Sequence, residues 1–384
     1  MKYLALLLPV VFFVSCSKTD AGKVSKITVN LLDTPTVFIE DVAQDVVNVN
    51  LGPPGDTTMK YPTHFFVSDN EIIVVDKFQS AIYTFDKKGV LKHKIKSVAK
   101  REDSFQQITD VLFDEATNTI EVLDLSASKI FTYKPDGHFV KKLNIVDPIH
   151  FGLSFAKAGN VYASLARRSN NPKQSNSISV FKQTDDMVSY ATPAVPAIPL
   201  VKTLDIAFSH QFENHKGSLY YFPLLDDKIY EIGLDKSTPA YQINVGDEHK
   251  LTKQIREEPP VKDHFQYWKK VADYKLLCDN SSLFITDNWV SFNYRYGPKN
   301  RFCNVFYSKK TGKTIQVSEF KSRKDTAFTS KYNILAKHGD YFVAASPTFK
   351  RLDFGNPLII PVAHGKQPQY ETTFRLTFFK LKAM

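Results

Sequence analysis

The sequence predicts an all-β protein, a six-bladed β-propeller of four-stranded antiparallel blades, and three observations support this class. First, residues 71–95 recur as residues 119–145, with a constant offset of 48 positions. Second, the periodic stretches are rich in Ile, Val, Phe, Tyr and Thr, which favour strands over helices. Third, each copy carries its own tight turns, as expected for the unit of a repeat architecture.

Identical residues occupy equivalent positions in the two copies. The matched pairs are Asp76 with Asp124, Ser80 with Ser128, Ile82 with Ile130, Thr84 with Thr132, and Gly89 with Gly137. The recurring aspartates could be paired carboxylates or metal ligands. An aspartate at the end of a strand, however, commonly caps the turn that follows it. We therefore expect Asp76 and Asp124 to stabilise turns.

Four weaker units follow, which brings the predicted number of blades to six. They are expected within residues 151–190, 206–245, 274–317 and 332–380. The last unit lacks a fourth strand, and a spare strand at residues 27–32 could supply it by pairing beside residues 374–380. Such closure would leave no long unpaired edge. Residues 27–384 are therefore expected to form one propeller domain.

The first residues predict a secretion signal. Residues 1–15 contain one early lysine, an apolar run and a small residue before Cys16. This run is too short to span a bilayer as a mature helix. Residues 13–16, Phe-Val-Ser-Cys, resemble the lipobox of bacterial lipoproteins, which implies cleavage before Cys16 and lipid on its thiol. Residues 16–26 would then be the lipidated cysteine and a flexible tether. An ordinary signal peptide with a chance cysteine is the alternative.

The pattern D-x3-S-x-I-x-T-x4-G, present at residues 76–89 and 124–137, resembles the NHL-type repeat. Together with the lipobox-like segment, it makes the chain similar to the six-bladed β-propeller lipoproteins of Gram-negative gut bacteria. This resemblance implies a location in the cell envelope, anchored by lipid to the outer membrane on its periplasmic or surface face. That family has no agreed activity, so the resemblance implies little chemistry.

Composition narrows the set of partners. The net charge of +10 is spread along the chain, without a long Lys/Arg run, an RNP-like motif or a Cys/His finger, which argues against nucleic acid. A modestly cationic surface suits anionic lipid or polysaccharide. Besides Cys16, only Cys278 and Cys303 are present. They could form one disulfide or remain buried thiols.

Binding residues are expected on one face of the propeller. The A–B and C–D turns of a four-stranded blade leave one face, and the B–C and D–A connections leave the other. All long excursions fall in the second class, and loops on a rigid scaffold often carry binding residues. Residues 288–301 are predicted to be such a loop. The candidate ligand-binding residues are Trp289, Phe292, Tyr294, Arg295, Tyr296 and Arg301, with Arg167 and Arg168 on a second loop.

Aromatic rings beside cationic donors suit an acidic sugar or an anionic peptide; packing of these rings against the fold is the alternative. The favoured function is a lipid-anchored envelope module that binds carbohydrate, peptide or protein without catalysis. A propeller lyase or hydrolase with Ca²⁺ or Zn²⁺ near the central channel is the second hypothesis, and a structural envelope subunit the third. No cofactor, catalytic residue or metal ligand is predicted, because the histidines form no close pair such as His-Glu-x-x-His.

Overall fold

Strands account for most of the ordered backbone. The computed structural model describes residues 24–31, 35–52, 59, 62–98, 101–165, 176–196, 210–249, 252–296, 301–325, 329–330, 334–351 and 370–383. The N-terminal part holds strands β1 (Ser25–Thr28) and β2 (Thr36–Phe38), the one-turn helix α1 (Ile39–Val42) and strand β3 (Ala43–Leu51).

The repeated segment folds as its sequence predicts. The first unit is β4 (Pro62–Val67), β5 (Glu71–Asp76), β6 (Ala81–Asp86) and β7 (Leu91–Lys96), and the second is β8 (Asp110–Asp114), β9 (Thr119–Asp124), β10 (Lys129–Tyr133) and β11 (Phe139–Ile145). Ser80 and Ser128 both have positive φ, 47° and 53°, and Gly89 and Gly137 have φ of 84° and 91°. The repeat in sequence is therefore also a repeat in backbone conformation.

The remaining units continue this pattern with longer strands. The third contains β12 (Phe155–Ala158), β13 (Val161–Leu165), β14 (Asn176–Thr184) and β15 (Met187–Pro196); the fourth contains β16 (Phe212–His215), β17 (Ser218–Tyr221), β18 (Lys228–Ile232) and β19 (Ser237–Asn244). Helices α2 (Lys253–Arg256) and α3 (His264–Asp273) follow. Then come β20 (Leu277–Ile285), β21 (Trp289–Tyr296), β22 (Arg301–Ser308), β23 (Thr314–Val317), β24 (Glu319–Lys321), β25 (Thr329–Ser330), β26 (Ile334–His338), β27 (Tyr341–Arg351) and β28 (Tyr370–Leu381).

The sheets correct the prediction of six separate blades. Three sheets have four strands, β4–β7, β20–β23 and β26-β27-β28-β3, and a fourth has β1 added to β16–β19. These four sheets stand alone as blades. The second and third units share one eight-stranded sheet, because β11 pairs in parallel with β15 through Asn144↔Met187 and Ile145↔Val188. A small sheet of β2, β24 and β25 completes the described strands.

The last sheet is closed by an N-terminal strand, but not by the one predicted. β3 pairs antiparallel with β28, from Ala43↔Leu381 to Leu51↔Phe374. The strand near residues 27–32, β1, instead pairs in parallel with β19 of the fourth unit. Its Ile27 is fully buried and packs in a core cluster with Ile243. The apolar contacts of β1 are thus with the fourth and fifth units and not with the last sheet.

The fifth unit also differs from its predicted boundaries. Residues 279–281 are polar, yet they lie inside β20. Asn280 is fully buried there, and its Nδ2 donates to the carbonyl oxygens of Pro223 and Asp226 at 2.9 Å each. These distant acceptors allow a polar residue inside the strand. The predicted loop 288–301 is consequently strand β21, the start of β22 and a short connection between them.

The first strands of the units pack against one another in turn. β26 contacts β4, β8 contacts β12, β12 contacts β16, β16 contacts β20, and β20 contacts β26. His64 of β4 reaches Asp110 of β8 and completes the circuit. Apolar side chains fill the space between neighbouring sheets: Ile73 and Val75 of the first unit, for example, pack with Val111 and Ile120 of the second.

The circuit has two edges, a hairpin rim and a connection rim. The hairpin rim carries the turns between first and second and between third and fourth strands, such as residues 68–70 and 87–90. The connection rim carries the turns between second and third strands, such as residues 77–80, and the links from one unit to the next. Helices α2 and α3 lie in such a link. Within the described residues, no helix is long and apolar enough to cross a membrane.

Candidate functional site

A polar cluster lies between the first strands, toward the connection rim. His64 comes from β4, Asp110 begins β8, and Lys77 lies in the turn that follows β5. Oδ1 of Asp110 is 3.1 Å from Nε2 of His64 and 2.6 Å from Nζ of Lys77. Its Oδ2 accepts a hydrogen bond from the backbone N–H of Phe155 at 3.0 Å. One carboxylate thus joins the first three units.

The charge of Asp110 is held by its neighbours. Burial alone raises the pKa of a carboxyl group, but the charge of Lys77 and the hydrogen bonds from Lys77 and His64 outweigh it and hold the pKa of Asp110 below its ordinary value. Burial lowers the pKa of His64, which the charge of Asp110 only partly offsets. His64 is therefore neutral at pH 7, with the ionised Asp110 beside its Nε2.

His210, just before β16, lies beside this cluster. Its ring centroid is 5.3 Å from that of His64, and its carbonyl oxygen accepts a hydrogen bond from the N–H of Leu283 at 2.8 Å. Nε2 of His210 is buried and has no hydrogen-bond partner among the described residues. Burial lowers the pKa of His210 to about 3. Such a nitrogen needs a water molecule or a ligand atom as its partner.

Aromatic side chains surround the two histidines. Phe66 lies 6.0 Å from His64 and 6.3 Å from His210, centroid to centroid, and Phe284 lies 5.5 Å from His210. Phe113 packs against Phe66 at 6.2 Å. The arrangement combines a neutral imidazole, a charged pair and flat apolar walls. This chemistry suits a ligand with both polar groups and an apolar face.

The structure places the predicted aromatic residues in the core rather than on a loop. Trp289, Phe292 and Tyr294 lie in β21 and are all buried. Phe292 packs edge-on against Phe222 at 5.1 Å, and the hydroxyl of Tyr294 accepts a hydrogen bond from Nε2 of Gln316 at 3.2 Å. The loop placement was wrong because β21 is a second strand, whose two faces both meet neighbouring sheets.

The other predicted residues lie nearer the connection rim or outside the described part. Arg295 and Tyr296 end β21, and Arg301 begins β22. Arg295 is half-buried, whereas Tyr296 is buried and packs edge-on against His249 at 5.2 Å. Arg167, Arg168 and Cys16 lie outside the described residues. Ligand binding by these side chains stays a prediction.

Sequence reasoning did not find His64, Lys77, Asp110 or His210. They come from different units and are far apart in the chain, so no local motif marks them. A weak signal was present: His64 and Asp110 are polar residues directly before the apolar runs of their strands. Only the packing of the first strands brings them together.

The recurring aspartates stabilise turns, as predicted. Oδ1 of Asp76 accepts a hydrogen bond from the N–H of Gln79 at 3.0 Å, and Oδ1 of Asp124 accepts one from the N–H of Ala127 at 3.1 Å. Cys278 and Cys303 are buried free thiols. Within the described residues, no group of three or more His, Cys, Asp or Glu side chains is arranged to hold a metal ion.

Comparison with solved structures supports the fold. An exported protein from Bacteroides fragilis is similar with a TM-score of 0.64 at 13% identity, over 94% of this chain and 100% of that chain. A member of the DUF4221 family from Bacteroides vulgatus has a TM-score of 0.51 at 10% identity, over 89% and 98% of the two chains. A comparison with curated proteins found no match.

The fold and the polar cluster define an all-β, propeller-like protein with a candidate site between its first strands. Residues 39–354 match the family described as a domain of unknown function, DUF4934. The chain belongs to this family. The predicted membership of the NHL-like six-bladed lipoproteins is not confirmed by these comparisons.

Proposed function

We propose that this protein is an exported, lipid-anchored module of the cell envelope that binds a partner at its connection rim. The observation that supports this proposal is that the connections at the two rims differ in length. Links such as residues 97–109 and 245–276 leave the connection rim, while the hairpin rim is closed by short turns. The polar cluster of His64, Asp110 and His210 lies toward the same rim. Long connections beside such a cluster are typical of a binding face.

We propose that the six units form one ring, in which the eight-stranded sheet stands beside four separate blades. The eight-stranded sheet contains two complete four-stranded units that are joined by the short parallel pairing of β11 with β15. The first strands of all six units contact one another in cyclic order. The proposal counts the shared sheet as two blades, one for each of its first strands.

The partner is proposed to be a carbohydrate, a peptide or an envelope protein. Arg295, Tyr296 and Arg301 lie at the connection-rim ends of their strands. Arg167 and Arg168, which lie outside the described residues, are proposed to contribute as well. Arginine donors suit acidic groups, and the rings near His210 suit an apolar face. The structural likeness to an exported Bacteroides protein supports export of this chain as well.

Binding can be tested with a matched pair of exposed apolar residues. Phe78 lies in the turn after β5 on the connection rim and is 70% exposed, and Val90 lies in the turn before β7 on the hairpin rim and is 53% exposed. On glycan and peptide arrays, Phe78→Ser is expected to weaken binding of any hit, while Val90→Ser leaves it unchanged. Equal effects of both variants would contradict a connection-rim site.

Anchoring is tested separately at Cys16. Cells fed with a labelled fatty acid should incorporate label into the wild-type chain and not into the Cys16→Ala variant. The labelled chain is expected in the membrane fraction. Label that persists in Cys16→Ala, or a wild-type chain released as soluble protein, would refute lipid anchoring without affecting the array experiment.

A further inference from the structure

Helix α3 (His264–Asp273) has two different faces. Asp263 caps its N-terminus by accepting a hydrogen bond from the N–H of Gln266 at 2.8 Å. On the inner face, Tyr267 and Val271 are buried and pack in a cluster with Leu224, Leu225 and Cys278. On the outer face, Phe265 is 79% exposed and Trp268 is 36% exposed. Their i, i+3 spacing places the two rings on one side of the helix.

Lysines border this exposed aromatic pair. Lys262 and Lys269 are exposed, and neither forms a salt bridge within the part of the chain that the structure describes. Lys270, by contrast, is paired with Glu258 at 2.7 Å. Aromatic rings flanked by lysines on the outer face of a helix are typical of segments that lie at a membrane interface.

The helix and the start of the domain belong to the same sector. β1 pairs with β19, the outer strand of the fourth unit, and α3 lies in the link that follows β19. Cys16 precedes Ser25 by nine residues, a stretch that can span at most roughly 30 Å. A lipid at Cys16 therefore keeps the fourth unit, and the link that carries α3, near the membrane.

We propose that α3 is a second membrane contact, in which Phe265 and Trp268 enter the interface of an anionic bilayer and Lys262 and Lys269 bind its headgroups. This inference rests on the proposed lipid anchoring for the presence of a membrane at this sector. It deepens that proposal, because two contacts orient a domain that one tether leaves free to rotate. The fourth unit then faces the membrane, and the connection rim of the first three units remains open to a partner.

Tryptophan fluorescence tests the contact directly. The chain has two tryptophans, and Trp289 is buried in the core, so a change on membrane binding reports Trp268. The experiment uses the unacylated chain of residues 17–384, which retains every described element. Vesicles of phosphatidylcholine that contain one quarter phosphatidylglycerol should shift the emission of Trp268 to the blue. They should also protect Trp268 from quenching by iodide. The effect should be much weaker with phosphatidylcholine alone, because the lysines then lack anionic headgroups.

Variants separate the aromatic and electrostatic contributions. Phe265→Ser with Trp268→Ser should lower vesicle binding in a flotation assay by about tenfold or more, and Lys262→Glu with Lys269→Glu should remove the preference for anionic vesicles. Ile149→Ser, which changes another exposed apolar residue of the connection rim, is the matched control and should bind as the wild type does. Absence of binding by the wild type, or equal loss in the control, would overturn the proposal. Fatty-acid labelling of Cys16 is independent of this result, so failure of the anchor and failure of α3 are distinguishable.

Discussion

The hairpin rim and the connection rim are built from the same strands, yet their chemistry differs. Turns of the hairpin rim are short, as at Gly89, Gly137 and Lys216, which have positive φ. Their charged side chains form exposed pairs, for example Lys216 with Asp287 at 2.6 Å. The connection rim carries the most exposed large apolar side chains of the described residues, which are Phe265, Phe78 and Ile149.

This difference indicates that the two rims have different roles. Short turns with exposed ion pairs only need to reverse the chain, and such pairs contribute little to stability. The connection rim combines exposed apolar residues with a buried charged cluster, an arrangement that a scaffold alone does not require. Substitutions of the same residue type at opposite rims can therefore test whether the roles of the two rims differ.

The largest contrast is expected between the two tryptophans. Trp289 begins β21 next to the hairpin rim and packs in a cluster with Phe306 and Phe342, whereas Trp268 faces outward on α3. Trp289→Ala should lower the free energy of unfolding by about 3–5 kcal/mol. Trp268→Ala should change it by less than about 0.5 kcal/mol. Chemical denaturation followed by circular dichroism measures both, and a small effect at Trp289 would return that residue to the list of binding candidates.

The next contrast concerns two aspartates. Asp110→Asn should cost about 3 kcal/mol, because it leaves Lys77 and the buried His64 without their carboxylate. Asp287→Asn, at the exposed pair of the hairpin rim, should leave the denaturation midpoint nearly unchanged. Similar midpoints for the two variants would show that the cluster near the connection rim does not stabilise the fold.

The strands and turns of the first two units could be predicted from the sequence because the patterns that mark them are local. Turn residues with positive φ, strand-ending aspartates and apolar strands repeat within a few residues of one another, as at Ser80 and Ser128. Ring closure was not predictable in the same way. β1 and β3 are both N-terminal strands, and only contacts with residues more than 200 positions away decide their partners.

The candidate site was still harder to predict. Asn280 is a polar residue inside β20, and its acceptors in the fourth unit cannot be identified from the local sequence. His64, Asp110 and His210 likewise become neighbours only when three units pack together. The aromatic residues of β21 were predicted to bind a ligand because of the composition of this segment. The same composition is typical of a strand that is buried on both faces.

Two equivalent glycines test the closure of the ring. A Cβ on Gly89 would lie 2.0 Å from the carbonyl oxygen of Asn50 in β3, whereas a Cβ on Gly137 would meet nothing closer than 3.6 Å. Both residues have positive φ, so alanine should cost about 1 kcal/mol at Gly137 from backbone strain alone. Gly89→Ala should cost roughly 2–3 kcal/mol, because β3 must also move. Equal midpoints in urea would indicate that β3 does not pack against the first unit.

The smallest effect is a pH dependence that arises near the connection rim. Burial lowers the pKa of His210 to about 3, while the unfolded chain takes up this proton near pH 6.5. Between these values the unfolded state binds more protons, so stability is complete above about pH 6.5 and falls as the pH decreases toward 3. At pH 5 the expected loss from His210 is about 2 kcal/mol.

His210→Phe should remove this contribution, because phenylalanine keeps a ring beside Phe284 and cannot bind a proton. Urea denaturation of both proteins from pH 7 to pH 5 gives the comparison. Exposed His138, in the hairpin-rim turn before β11, is the matched control, and His138→Phe should keep the wild-type pH dependence. An unchanged slope in His210→Phe would mean that His210 is protonated in the folded protein, and the neutral imidazole assigned to the candidate site would then be wrong.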